Sequence, residues 1–275
     1  MLPNGINMYS KLRLSSFVPP VLMLIIFFVF LYSHNALGVK EYIHIQKDRF
    51  FLINQILGQY PAIVNNLSQL GDALIFLSFL GILIVYIPKI WESLFSALLV
   101  CLLYSFVLKN FFAVPRPAAV FDHSSFIIVG KTLSGHNSLP SGHSMTIFTI
   151  LTVLFFALMP QKLPYKMLMF LLMVVAGFLL AFTRVGVGAH YPLDVILGSI
   201  IGYISGLTGI FISRKYEIWT WINNKKYYPV IVLLFLICCI YIVGKIIDEN
   251  LLIFYFALAS CVVTIFKVIQ IYAKR

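Results

Sequence analysis

Apolar residues in this chain come in long runs broken by short polar segments, without the strict alternation of strands or the one-sided spacing of a surface helix. Crossing a bilayer takes about 20 such residues, within a range of roughly 17–25. Eight runs meet or approach that length: 17–37, 72–87, 93–112, 141–159, 167–183, 192–212, 229–246 and 251–273. All are expected to be helical. The fold class is therefore all-α, a polytopic membrane helix bundle forming one membrane domain over 1–275. A six-span core covers 17–212, and two additional transmembrane helices cover 229–273. Residues 50–70 look amphipathic and are expected to lie along the interface. The longest polar interruption of the central region is 113–140.

Composition turns "helical" into "integral membrane". The chain is 61% hydrophobic and 11% charged, against about 45–50% and about 25% for soluble domains. The net charge of +11 does not call for nucleic acid, because no basic stripe with interleaved aromatics lies on a soluble segment. The basic residues instead cluster at the ends of the spans. With the N-terminus inside, twelve of the twenty lie on the cytoplasmic side, including Lys11, Arg13, Arg214, Lys215, Lys225, Lys226 and Arg275. The positive-inside rule then puts both termini in the cytoplasm, and puts the 113–140 loop and the 183–194 stretch together on the outer face. Lys11 and Arg13 precede a run with no clear small-residue cleavage site, so that run reads as a retained span. Cys101, Cys238, Cys239 and Cys261 sit inside apolar runs as small packing residues.

The 183–194 stretch holds Arg184, His190 and Asp194 between two apolar runs. Ionisable groups there are costly and need a reason. Pro192 suits the first position of a helix, which puts Asp194 in the first turn and His190 within its reach. Two more clusters share the outer face: Lys109 to Pro117, with Arg116, and Pro140 to His143. Ser141 is a good N-cap, and Gly142 leaves its N–H open to an oxygen. Three cations with two helix N-termini make an anion site whose usual guest is phosphate. Two histidines with a carboxylate point to a nucleophile and a separate acid.

These residues follow the pattern Lys-x6-Arg-Pro, Pro-Ser-Gly-His, Ser-Arg-x5-His-x3-Asp, and the chain thereby resembles the type 2 phosphatidic acid phosphatase superfamily, which includes the vanadium haloperoxidases. Thr183 stands where that pattern has serine and keeps the hydroxyl. The resemblance covers roughly 72–212 and leaves the last two spans outside. It implies that His190 is the nucleophile forming a phosphohistidine, that Asp194 orients it, and that His143 protonates the leaving oxygen. Lys109, Arg116, Arg184, Ser141 and Gly142 would bind the phosphate. It further implies no cofactor and no metal.

The expected enzyme is a lipid phosphate phosphatase in the bacterial inner membrane with its site on the periplasmic face. Its partners would be membrane lipids and a lipid phosphate or diphosphate of the lipid A, undecaprenyl diphosphate or phosphatidylglycerol phosphate class, with no nucleic acid. A phosphotransferase with the same intermediate is the alternative, and an anion transporter would also explain buried cations. A transporter leaves the spacing of the two histidines and the aspartate without a role. A zinc site drawn from His123, His136 and His143 fits no standard ligand spacing.

Overall fold

The computed structural model describes residue 9 and residues 12–274. Lys11 and Arg275, counted above as cytoplasmic cations, lie outside the described residues. Proline opens helices throughout, because its missing N–H falls where a helix has no internal partner to offer. α1 (Val18–Ser33) carries proline in its first turn, at Pro19 and Pro20. Three short helices follow: α2 (Val39–His44), α3 (Lys47–Gly58) and α4 (Pro61–Ser68). Next come α5 (Ala73–Leu80), α6 (Leu83–Tyr86), α7 (Pro88–Phe112) and α8 (Pro117–Val120). The chain ends with α9 (Gly142–Leu158), α10 (Leu163–Gly186), α11 (Pro192–Tyr216), α12 (Tyr228–Glu249) and α13 (Leu252–Ala273). There is no strand among the described residues.

Among the described residues six helical segments are long and apolar enough to cross a membrane, supplied by α1, α7, α10, α11, α12 and α13, and a bent pair at 61–80 would make a seventh. The protein is an all-α polytopic bundle. Two of the expected spans differ in detail. The 72–87 run is not one helix but two, α5 and α6, and at its start α5 leaves the preceding 61–71 segment at an 81° bend. Asp72 is the cause, since its carboxylate accepts from the N–H groups of Leu74 at 2.9 Å and Ile75 at 3.4 Å. That cap starts a new helix where the old one would have run on. The 141–159 run forms α9, which is 17 residues long.

Residues 50–70 also depart from expectation. Pro61 cannot continue a helix, so the stretch is split into α3 and α4. Both pack against α10 and bury Phe50, Asn54, Val64 and Ser68. One face is turned onto protein, while Leu52, Ile56, Ile63 and Leu67 on the other stay exposed.

α11 is the central post. Its most apolar window is 61% buried, against 17–28% for the other spanning helices, and it packs against α9, α7, α1 and α10. Small residues permit the close approach, as helix pairs in lipid require. A side chain at Gly209 would collide with the Ala97 backbone of α7, and one at Gly202 with the Met145 carbonyl of α9. Apolar side chains of α1, α10, α12 and α13 face outward over long stretches, as lipid-facing helices do.

Candidate active site

The site forms where the starts of α9 and α11 meet the ends of α7 and α10. The Ser141 N–H donates to the Asp194 carbonyl at 3.0 Å, which ties the two helix starts together. Lys109 lies in the last turn of α7. Arg116 is the residue before α8, and Ser141 caps α9, with Gly142 and His143 its first two residues. Arg184 is in the last turn of α10, so the 183–194 stretch begins as helix and becomes a loop only after Gly186. Pro192 opens α11 and Asp194 follows in its first turn.

Asp194 is fully buried and its carboxylate gathers donors. Tyr42 Oη donates to Oδ1 at 2.7 Å, Ser138 Oγ to Oδ2 at 2.6 Å, and the Tyr191 N–H to Oδ2 at 2.9 Å. His190 Nδ1 stands 3.5 Å from the same Oδ2. An ionised carboxylate accepts only, so the contact favours the proton on Nδ1 and leaves Nε2 with a lone pair. His190 lies between the spans and is almost fully buried. Burial first, then the charges of Arg116, Arg184 and Lys109, hold its pKa well below the ordinary imidazole value. It is neutral at pH 7, the form in which an imidazole nitrogen keeps a free lone pair.

The cations converge on that ring from three elements. Arg116 donates through Nε to Asn137 Oδ1 at 2.7 Å and through Nη1 to the Ala189 carbonyl at 3.3 Å. Arg184 Nη1 donates to Ser68 Oγ at 2.6 Å, while its buried Nε has no hydrogen-bond partner among the described residues. Buried donors are rarely left unmatched, and an incoming phosphate oxygen would match this one. The absent side chain of Gly142 leaves room for Lys109: a Cβ there would lie 3.3 Å from Nζ. Ser141 Oγ accepts from the Ser144 N–H at 3.4 Å and from Ser144 Oγ at 3.0 Å, so its own proton is available to a ligand. His143 is packed on Gly71, where a Cβ would fall 2.6 Å from His143 Cγ.

All eight residues singled out from sequence are thus in one cluster. His123 is not: its Nε2 turns to the Ala118 carbonyl at 3.0 Å, and His136 is exposed. No group of three or more metal-ligating side chains occurs among the described residues.

Several residues that build the site had not been singled out. Tyr42 and Ser138 hold Asp194, and Gln46 accepts from the Leu193 N–H at 2.9 Å while donating to the Tyr42 carbonyl at 2.9 Å. Asn137 anchors Arg116 and Ser68 anchors Arg184. Asn54 joins the end of α10 to the 123–130 segment through bonds to Ile127, Val185 and Gly186. Gly188 adopts φ +77°, and a side chain there would lie 2.7 Å from the Ile127 carbonyl. Gly188 belongs to the 183–194 stretch already singled out; of the rest, only Ser138 and Asn137 stood beside a motif, and the others had no local signal.

Comparison with known proteins adds an independent line. Residues 89–218 match the family model described as "PAP2 superfamily". A lipid A 1-phosphatase of Rhizobium etli is 34% identical over 134 residues, covering 47% of this chain and 53% of the relative. The chain therefore spans about half the length of that relative and of its counterpart from Rhizobium johnstonii. An undecaprenyl-diphosphatase of Sulfolobus acidocaldarius is 26% identical over 193 residues, covering 66% of this chain and 84% of the relative. A crystal structure of Aquifex aeolicus LpxE has 29% sequence identity and a TM-score of 0.49, covering 61% of this chain and 95% of that one.

Proposed function

Because the chain belongs to the PAP2 superfamily through residues 89–218, we propose that it is a membrane-embedded phosphatase acting on a lipid-linked phosphate or diphosphate through a phosphohistidine. The observation that carries the reading is the buried contact of His190 Nδ1 with Asp194 at 3.5 Å, set among Lys109, Arg116 and Arg184. His190 Nε2 attacks phosphorus. The bond from phosphorus to the leaving oxygen breaks, its electron pair goes to that oxygen, and His143 supplies the proton. Asp194 stabilises the positive charge that develops on His190. Water then attacks the phosphohistidine and gives a proton back to His143, the electron pair of the breaking P–N bond returns to Nε2, and inorganic phosphate leaves. The three cations, Ser141 and the Gly142 N–H hold the phosphoryl oxygens, where charge-assisted hydrogen bonds are strongest. Each role is filled by a protein group, so the reaction as written calls for no metal.

The substrate lies in the class of lipid A phosphates, undecaprenyl diphosphate or phosphatidylglycerol phosphate, the first two supported by what the relatives are named for. The distribution of basic residues supports a multi-pass protein of the bacterial inner membrane, with both termini cytoplasmic and the site facing the periplasm.

The test offers a panel of lipid phosphates to detergent-purified protein and reads phosphate release and product mass. His190→Ala abolishes release. His143→Ala slows it by about 10²–10⁴, the usual worth of a general acid. Release at the parent rate by both variants would refute the catalytic roles, and transfer of the phosphoryl group to a second lipid would replace hydrolysis as the reaction.

A further inference from the structure

Lys109 reaches the site from the last turn of α7. Ser105 stands four residues earlier, on the same helix face and one turn nearer the apolar body of α7. α7 packs against α9, which begins at Gly142. With no side chain on Gly142 the two helices come close there. The point a Cβ would take lies 3.3 Å from Lys109 Nζ and 3.6 Å from Ser105 Oγ. An ammonium and a hydroxyl thus flank one point, beside the Gly142 N–H.

A serine in an apolar helix commonly donates to the carbonyl three or four residues back. Other hydroxyls of the spanning helices do so. Thr152 donates to the Phe148 carbonyl at 2.6 Å, Ser199 to Val195 at 2.8 Å, Ser205 to Ile201 at 2.8 Å and Thr208 to Ile204 at 2.8 Å. Among the described residues Ser105 Oγ makes no hydrogen bond, and the residue is half-buried. A hydroxyl kept out of water without a partner is unfavourable. It is also free to donate to an arriving oxygen. Arg184 Nε is unpartnered in the same way, so two elements of the site each hold a donor without an acceptor.

We propose that Ser105 is a further phosphate-binding residue, whose hydroxyl donates to the phosphoryl oxygen that Lys109 neutralises beside the Gly142 N–H. The assignment rests on the phosphatase reading above. The two side chains divide the work. The ammonium supplies charge without direction, and the hydroxyl supplies one directed bond from the side nearer the lipid tail. A phosphate oxygen accepts from more than one donor, and such charge-assisted bonds are the strong ones. Ser105 also serves as a small residue against Gly142. Ser105→Ala keeps that spacing and removes only the hydroxyl, so it separates the two roles.

The experiment measures the binding of orthovanadate, a phosphate mimic, to detergent-purified full-length protein. The dissociation constant is read from the rise in thermal midpoint with orthovanadate concentration. Parent, Ser105→Ala and Ser105→Thr are compared, and the midpoint without orthovanadate checks that each variant is folded. The expected result is binding weakened about tenfold or more in Ser105→Ala, as for a lost hydrogen bond to a charged group, and within a few-fold of the parent in Ser105→Thr. Binding by Ser105→Ala within twofold of the parent overturns the assignment and leaves Ser105 a spacer. Ser105→Thr as weak as Ser105→Ala overturns it too, because the loss would not follow the hydroxyl. A parent that binds no orthovanadate, yet releases phosphate from a lipid phosphate in a His190-dependent manner, overturns it while the phosphatase reading stands. A parent that neither binds nor releases overturns both.

Discussion

Asn54→Leu removes four hydrogen bonds with one nearly isosteric change. Asn54 Nδ2 donates to the carbonyls of Ile127 at 2.8 Å, Val185 at 3.1 Å and Gly186 at 3.1 Å, and Oδ1 accepts from the Ile127 N–H at 2.8 Å. Leucine fills the same space, so the cost is polar and not a cavity. Val185 keeps a second partner, the Gly188 N–H at 3.0 Å. The Ile127 N–H, the Ile127 carbonyl and the Gly186 carbonyl lose their Asn54 bonds. At about 1–3 kcal/mol for each buried group left unmet, and with Ile127 only half-buried, the loss is about 3–5 kcal/mol. At about 2–4 °C per kcal/mol for a chain of this size, the midpoint falls by about 6–20 °C. The assay is thermal unfolding of parent and variant in the same detergent at pH 7, with phosphate release measured alongside. Release falls too, because the freed segment is the turn carrying Arg184. A variant melting within about 2 °C of the parent would refute the count of unmet groups.

Two further predictions concern the site itself. Gly71→Ala puts a methyl group into the root of the His143 side chain, which the backbone holds and rotation cannot clear. Phosphate release should slow by about 10²–10⁴, the worth of the misplaced acid, and a variant turning over at the parent rate would remove Gly71 from the support of His143. The second prediction is a pH effect on stability. The folded chain keeps His190 neutral well below its ordinary value, whereas the unfolded chain takes up that proton at about pH 6.5. Below pH 6.5 the unfolded state therefore binds more protons, and stability declines as pH falls. His190→Gln lacks this linkage, so its midpoint should decline less steeply than the parent's between pH 7 and 5. Parallel slopes would show that His190 does not titrate differently on folding.

The spacing of Lys109, Arg116, Ser141, Gly142, His143, Arg184, His190 and Asp194 made this cluster legible in sequence, because each sits at a helix end where a local cap or proline marks its position. Tyr42, Gln46, Asn54 and Ser68 were not legible. Their partners lie 152, 147, 131 and 116 residues away, and a polar side chain in an amphipathic segment reads the same whether it faces water or a buried carboxylate. The break at Asp72 was hidden for a related reason. Hydropathy sums over the 72–87 run, and a single capping carboxylate at its edge barely changes the sum while turning the chain by 81°. The lengths of α7 and α10 were underestimated because Pro88 and Leu163 start their helices ahead of the apolar windows.

The close contacts of Gly202 and Gly209 also set which parts can move. Rotating or sliding α11 by one residue would drive a side chain into the backbone of α7 or α9, so the post acts as a ratchet tooth engaged on two sides. His190 and Asp194, joined to the top of that post, share its immobility. Motion that admits a lipid head group to so buried a histidine must come from the other wall. The hydrogen bonds of Tyr42, Gln46, Asn54 and Ser68 join the α2–α4 cover to the site, and polar latches of this kind release and re-form more readily than interlocked backbones.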